Sequence, residues 1–533
     1  FKVKNRKRLF ALLLSAALML SVTACGGKSG GSDAPAGSSP AAPGASAPAG
    51  EQIAEELIVL VGADASTFDP HFCTDSATEI FNKNMYNGLV KFNSDMEILP
   101  DLAKDWSVSE DGLTWTFNLR DDVAFHDGTK FNAEAVKVCL DRIRNPDVGS
   151  PVRTSLQPIA TVEVVSEYVV SLSTEVPDGA MLQRLAGPAA FMISPAAIEK
   201  YGADLGANPV GTGPFKYVEW KVGEELVMER YENYHDGAPM VQKVIFRVVP
   251  EDATRALLIQ SKQADVAMRL PATEVNRLKA SGGINFVEGE TVMTMYVALN
   301  NSKGVLQNVK VRQAMNYAVD KNVIVNDILG GMATVADAPI SPKTWGYSST
   351  KTYERDLAKA KALLTEAGYP DGIDLELWTP TGRYLMDVQV AENLQAQWAE
   401  AGIRVNIRQW EFQSLMSEVK KGEFDMVLLG WSPSTGDADV GLYRPLHSSQ
   451  FPPNSNRAFY SNPTVDKYLE DAKVEVNLEK RAELYAKAQE IIMDEAPWVF
   501  LYYPKQALAV RENVSGISIL PTEHIILEDV RKG

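Results

Sequence analysis

Between Asp356 and Trp431 the chain alternates between helical and strand periodicity, and this rhythm restricts its fold more than any other stretch. In "RDLAKAKALLTEAGYPDG", Asp356 stands where an N-cap belongs, and Leu357, Ala360, Leu364 and Ala367 share one face. Gly368 and Pro370 then stop the helix. "GIDLELW" reads as a strand ending near Trp378, followed by the loop "TPTGRYLMD". A helix from about Val388 to Ala401 presents Val390, Leu394 and Trp398, and Gly402 closes it. "IRVNIRQW" is a second strand, Phe412 to Lys421 a second helix, and "FDMVLLGW" a third strand. The order β-α-β-α-β predicts parallel strands with right-handed crossovers, and hence an α/β fold.

Parallel strands release their loops on one edge, the edge where open α/β sheets hold ligands. The loop carrying Arg383 and Tyr384 is therefore expected beside the loop that starts at Trp431 and continues "SPSTGDAD". A guanidinium at Arg383 can take a carboxylate through paired N–H bonds. Asp437 or Asp439 can face an ammonium, Ser434 and Thr435 supply small hydroxyls, and Trp431 offers a flat apolar wall. Equally, Asp437 and Asp439 can cap a turn while Arg383 is a solvated surface side chain. Spacing alone leaves both readings open.

The first half of the chain reads mainly as strands and loops. "LTWTFNLR" alternates Leu113, Trp115, Phe117 and Leu119, a half-buried strand between turn-forming "EDG" and "HDG". "FNAEAVKVCLDRI" sets Ala135, Val138 and Leu140 at roughly helical spacing, and "KVIFRVVP" is a strand closed by Pro250.

Familiar catalytic signatures are missing. There is no HExxH, GxSxG or complete P-loop in the sequence. "GTGPFK" (Gly211 to Lys216) lacks the third glycine of a dinucleotide fingerprint, and "SEVK" (Ser417 to Lys420) stands without partner motifs. The five histidines, at 71, 126, 235, 447 and 524, form no i, i+4 chelating pair. Nothing here calls for a metal or another cofactor. Cys73 and Cys139 follow Cys25, with no CxxC; a Cys73–Cys139 disulfide stays open at this point.

The N-terminal stretch sets an expected compartment. Lys2, Lys4, Arg6, Lys7 and Arg8 precede the apolar run Leu9 to Val22, which is short for a membrane span and fits a signal-peptide core. The run ends in "VTAC", which resembles the lipobox of bacterial lipoproteins. That implies a signal peptide over 1–24 and lipidation at Cys25. Residues 25–54 are nearly all Gly, Ser, Ala and Pro, an expected disordered tether. Setting aside the five basic residues of 1–24 takes the formal charge from −17 to −22. So acidic a body is a poor nucleic-acid binder. Residues 55–533, in a chain with 45% hydrophobic residues, suffice for two or more domains.

"LPDLAKDWSVSEDGLTWTFNLRDDVAFHDGTKFNAEAV" (Leu99 to Val136) resembles the hallmark segment of family 5 solute-binding proteins of ABC importers. "NPVGTGPFKYVEW", "NVKVRQAMNYAVDKNVIV" and "YERDLAKAKALLTEAGYPDG" are similar to further family segments in the same order. The resemblance implies a two-lobed, periplasmic-binding-protein-like fold of the large type II variety, closing on its ligand about a hinge. It implies a larger lobe from 55–290 plus 500–533 and a smaller α/β lobe over 291–499. Crossings are expected near Tyr296–Asn300 and Trp498–Tyr503. "GWSPSTGDAD" and "AFYSNPTVDKYLEDA" look most similar to the glutathione-binding branch. Dipeptide-binding relatives carry an amino-group-holding Asp where this chain has Ser434, and an Arg that Arg383 matches. The pattern is mixed, so Asp437 or Asp439 replaces that anchor or only orders the loop. From the larger lobe, Asp75 in "FDPHFCTDSATE" is the expected cleft-facing residue, or else an N-cap.

The implied activity is capture of glutathione or short peptides and their delivery to a membrane permease, by a monomer anchored through lipid outside the cytoplasmic membrane. A nickel or metallophore receptor built around His447 is the alternative within the family. A hydrolase pairing Ser432 or Ser434 with His447 is the alternative outside it.

Overall fold

The computed structural model describes residues 53–533. The expected signal segment, Cys25 and nearly all of the tether lie outside the described residues. No helix among the described residues is long and apolar enough to cross a membrane.

The α/β rhythm folds as its periodicity requires. Asp356 caps helix Leu357–Glu366, its carboxylate accepting the Lys359 N–H at 2.9 Å. Strand Ile373–Pro380 pairs in parallel with Ile403–Trp410 on one side and Met426–Trp431 on the other. The helices between them are Asp387–Glu400 and Phe412–Val419. The run "FDMVLLGW" has no polar alternation because both faces of its strand are covered. Met426 and Leu428 join a core with Leu364, Leu394 and Trp398; Val427 and Leu429 join another with Leu415, Leu469 and Ile492.

Next to Met426–Trp431 lies Thr294–Leu299, antiparallel to it, and then the 14-residue strand Trp498–Arg511. That strand belongs to both lobes. Its first part pairs with Thr294–Leu299 and Ala333–Val335, and its second part with Ile284–Glu290 and Val266–Ala267. Beyond it the sheet continues through Ala54–Val61, Val241–Val248, Glu225–Arg230 and Phe215–Lys221. The larger lobe adds a separate antiparallel sheet, Ala103–Val108, Thr114–Leu119, Val169–Thr174 and Ile159–Ser166. Trp115, Phe117 and Leu119 point into the core there, as the alternation expects. Helix Ala133–Arg144 buries Ala135, Val136, Cys139, Leu140 and Ile143. The buried stripe is thus Val136 and Cys139, not the half-exposed Val138.

The larger lobe's main core collects Leu57 through Val292 and Leu508 through Val530, while the small-lobe cores take residues between Met295 and Tyr503. The chain changes core at Thr291–Met293 and again at Pro504. Thr291 fastens the two crossings together: its N–H and its hydroxyl both donate to the Pro504 carbonyl, at 3.0 and 2.9 Å. The sequence expectation put the crossings a few residues away, at Tyr296–Asn300 and Trp498–Tyr503; the second crossing lies within the long strand that both lobes share.

Candidate functional site

Register fixes where the loops emerge. Leu377 and Trp378 lie opposite Met426 and Val427 in parallel strands, so the loops after Pro380 and Trp431 leave one edge. Thr294 lies opposite Trp431, and the crossing at Thr291–Met293 therefore sits at that same edge. The loop edge faces the junction of the lobes.

Packing joins the two loops. A Cβ on Gly430 would lie 3.0 Å from the Tyr384 ring, 2.7 Å from the Met295 sulfur and 3.1 Å from the Met293 sulfur. A side chain at 430 would crowd the Tyr384 ring and both methionines, so the glycine leaves Tyr384 room at the strand end. Arg383 is exposed, with its guanidinium carbon 5.2 Å from the Tyr384 ring centre and 5.0 Å from that of Phe412. The two rings meet edge to face. Among the described residues the Arg383 guanidinium has no ion pair and no hydrogen bond. Trp431 is half-buried and pinned, its indole N–H donating to the Val440 carbonyl at 3.0 Å. Ser434 is exposed, and the buried Thr435 hydroxyl has no hydrogen-bond partner. Arg383, Tyr384, Trp431, Ser434 and Thr435 are thus carried by one rim.

The two loop aspartates are placed otherwise. Asp437 is fully buried and receives two N–H bonds from Arg481, at 2.7 and 2.8 Å, from helix Leu478–Glu495. Arg481 is itself fully buried, its guanidinium 4.4 Å from the Trp345 ring centre. Burial opposes its charge, yet the Asp437 carboxylate outweighs that and holds its pKa above the ordinary value. Asp439 pairs across the lobes with Arg184, at 2.8 Å, and Arg184 also holds Asp178 at 2.8 Å. Neither carboxylate is open to a ligand's ammonium; both serve to fix the loop. The larger lobe presses on the same loop at Gly436, where a Cβ would lie 2.2 Å from the end of Met96.

Asp75 is likewise spoken for. It caps helix Ser76–Met85, taking the Thr78 N–H at 2.8 Å, the Thr78 hydroxyl at 3.0 Å and the Ser66 hydroxyl at 2.7 Å. The cap reading replaces the cleft-facing one. His447 is buried and stacked on Tyr443, with Nε2 3.3 Å from Glu470 and Nδ1 accepting from Ser449. It therefore makes no pair with Ser432 or Ser434, and no ligand group for the rim. Asp101, His235 and Asp236 could surround an ion in the larger lobe, but Asp236 already faces Arg120 at 2.9 Å and Lys91 at 3.6 Å. A dication there would compete with two fixed positive charges. Cys73 and Cys139 are free thiols, pushed up to about 12 by burial.

Sequence reasoning missed Phe412, the second ring under Arg383, and Asp387, whose carboxylate gathers the loop's N–H groups. An acidic residue just before the expected start of the helix was the available signal for Asp387.

Two lobes sharing one long strand, with an open cation and aromatic rings along the edge between them, define a hinged protein built to trap a solute. The chain belongs to the bacterial extracellular solute-binding proteins, family 5, whose middle portion matches residues 97–453. It is 36% identical over 484 residues to the glutathione-binding protein GsiB of Salmonella typhi, covering 89% of this chain and 94% of that one. Among solved structures, HbpA2 from Haemophilus parasuis superposes with a TM-score of 0.83 at 27% identity, over 90% of this chain and 100% of that one. The periplasmic binding protein DppA from Helicobacter pylori, in complex with the peptide STSA, gives 0.73 at 29% identity, over 90% and 99%.

Proposed function

We propose that this protein captures short peptides, glutathione among them, between its lobes and hands them to the permease of an ABC importer. The observation that carries the reading is the exposed Arg383 guanidinium, free of protein counter-ions among the described residues, on the same loop edge as Trp431. An open fork of N–H donors over aromatic faces suits a ligand's carboxylate. Ser434 stands where an amino-anchoring aspartate would, and Asp437 and Asp439 are already paired. The ligand's ammonium is therefore met from elsewhere, or by the exposed hydroxyl of Ser434. GsiB is named for glutathione, and DppA was crystallised with a peptide; both share the larger part of their length with this chain.

A ligand touching both lobes binds the closed form more tightly and so shifts an open ensemble toward it. Lipidation at Cys25, with 25–54 as a tether, would keep the monomeric trap outside the membrane near its permease. The protein binds and releases its solute without transforming it.

The test is a thermal-shift screen of reduced glutathione, di- and tripeptides and their amides. A true ligand at about 100 times its Kd adds about 2.7 kcal/mol of stability. Arg383→Ala should cost a carboxylate-bearing ligand about 2–5 kcal/mol. An undiminished response in that variant removes Arg383 from the site.

A further inference from the structure

The loop that carries Arg383 has little reason of its own to hold one shape. It contains two left-handed residues, Gly382 at φ +73° and Met386 at +55°, and the second is not glycine. Leu385 and Met386 are exposed, so packing does not hold this end of the loop. The loop is held from within. The Asp387 carboxylate, itself buried, accepts the N–H of Gly382 at 3.1 Å, of Arg383 at 2.8 Å and of Tyr384 at 3.1 Å. It also takes the Val388 N–H at 2.9 Å. Three consecutive amides converging on one anion fix three peptide planes at once.

We propose that Asp387 is the positioning residue of the ligand clamp: its charge gathers the backbone of Gly382–Tyr384 so that the Arg383 guanidinium lies over the Tyr384 and Phe412 rings with its N–H fork turned outward. The inference rests on the reading of Arg383 as the group that takes the ligand's carboxylate. The rings limit where the guanidinium can lie, and the carboxylate limits where the side chain starts. Together they confine a flexible arginine before the ligand arrives, which lowers the ordering cost of binding. Asparagine has nearly the same shape but offers one acceptor oxygen, and its amide would set N–H against N–H. The negative charge, and not only the size of the side chain, is what the loop needs.

Two measurements test this. The first needs no variant: in the wild-type protein the amides of Gly382, Arg383 and Tyr384 should exchange with solvent at least tenfold more slowly than that of Leu385 in the same loop. Equal exchange overturns the proposal. The second is calorimetric titration of trialanine and trialaninamide, a pair differing only in the terminal carboxylate, into wild type, R383A, D387N and the double variant. Asp387→Asn should reduce the preference for the acid over the amide at least tenfold. It should change that preference no further once Arg383 is alanine, because it acts through that side chain. Weakening of acid and amide alike by D387N means a general structural role and overturns the proposal. If wild type and R383A show the same preference, the reading of Arg383 fails and this inference falls with it. If R383A loses the preference and D387N keeps it, only the role of Asp387 falls.

Discussion

Replacing Arg481 by methionine tests whether the loop after Trp431 is a ligand group or a braced support. Arg481 and Asp437 are both without solvent exposure and share two N–H···O bonds of 2.7 and 2.8 Å. Methionine keeps much of the packing against Trp345 and Tyr485 but leaves the Asp437 carboxylate buried with only the Asp439 N–H, at 2.7 Å, as a partner. Breaking one side of such a pair costs about 3–5 kcal/mol, because the orphaned charge has no water to return to. Replacing both partners is far cheaper, so Asp437→Asn combined with Arg481→Met should restore most of that loss. Differential scanning calorimetry is the assay, and a fall in Tm of roughly 5 °C or more is expected for the single variant. Isothermal titration with trialanine on the double variant should show an affinity within about threefold of wild type. Wild-type stability of Arg481→Met, together with lost ligand binding in Asp437→Asn, would refute the reasoning and return Asp437 to the ligand.

Three further outcomes follow from the same structure. Asp75→Ala removes a helix cap and should cost about 1 kcal/mol in urea unfolding while leaving peptide affinity unchanged; a large affinity loss with no stability loss would place Asp75 in the cleft. His71 and His126 are lowered to about 4, chiefly because burial disfavours their charged forms, against an ordinary 6.5. The unfolded chain then binds more protons between those values, so stability is fully present above about pH 6.5 and is lost as pH falls toward 4, by at most roughly 3 kcal/mol per histidine. Urea midpoints from pH 7.5 to 4.5 should fall accordingly, and His126→Gln should flatten the decline. Cys73 and Cys139 sit as separate thiols, each donating to a backbone carbonyl, so the melting temperature should be the same with and without reductant; a reductant-induced drop would mean a disulfide.

What the sequence made legible was direction, and what it hid was pairing. Period and capping around Asp356, Val390 and Leu428 define strands and helices, and parallel strands leave no choice about which edge carries the loops. That is why Arg383 and Trp431 fall on one rim even though 48 positions of chain separate them. The same reasoning has no means of seeing that Asp437 meets an arginine 44 residues away, or that Asp439 meets one 255 residues away. An acidic, hydroxyl-rich loop looks alike whether its charges wait for a ligand or are already neutralised. Asp75 failed for a related reason, since a helix start and a cleft wall both favour a short acidic side chain.

The division of labour that results has a physical cause. A trap that opens and closes must exchange water for ligand at some of its charges, and only groups hydrated in the free protein can do so without stranding a buried ion. Arg383 meets that condition because aromatic faces, which attract its cation without consuming its N–H donors, take the place of a carboxylate partner. Asp437 and Asp387 meet the opposite one: their charges are saturated within the small lobe by Arg481 and by backbone amides, so the loops they hold keep their shape while the lobes move. The Asp439–Arg184 pair spans the lobes and parts when they open. The acidic groups therefore set the geometry of the rim, and the Arg383 guanidinium, without an ion pair among the described residues, is the group proposed to read the ligand.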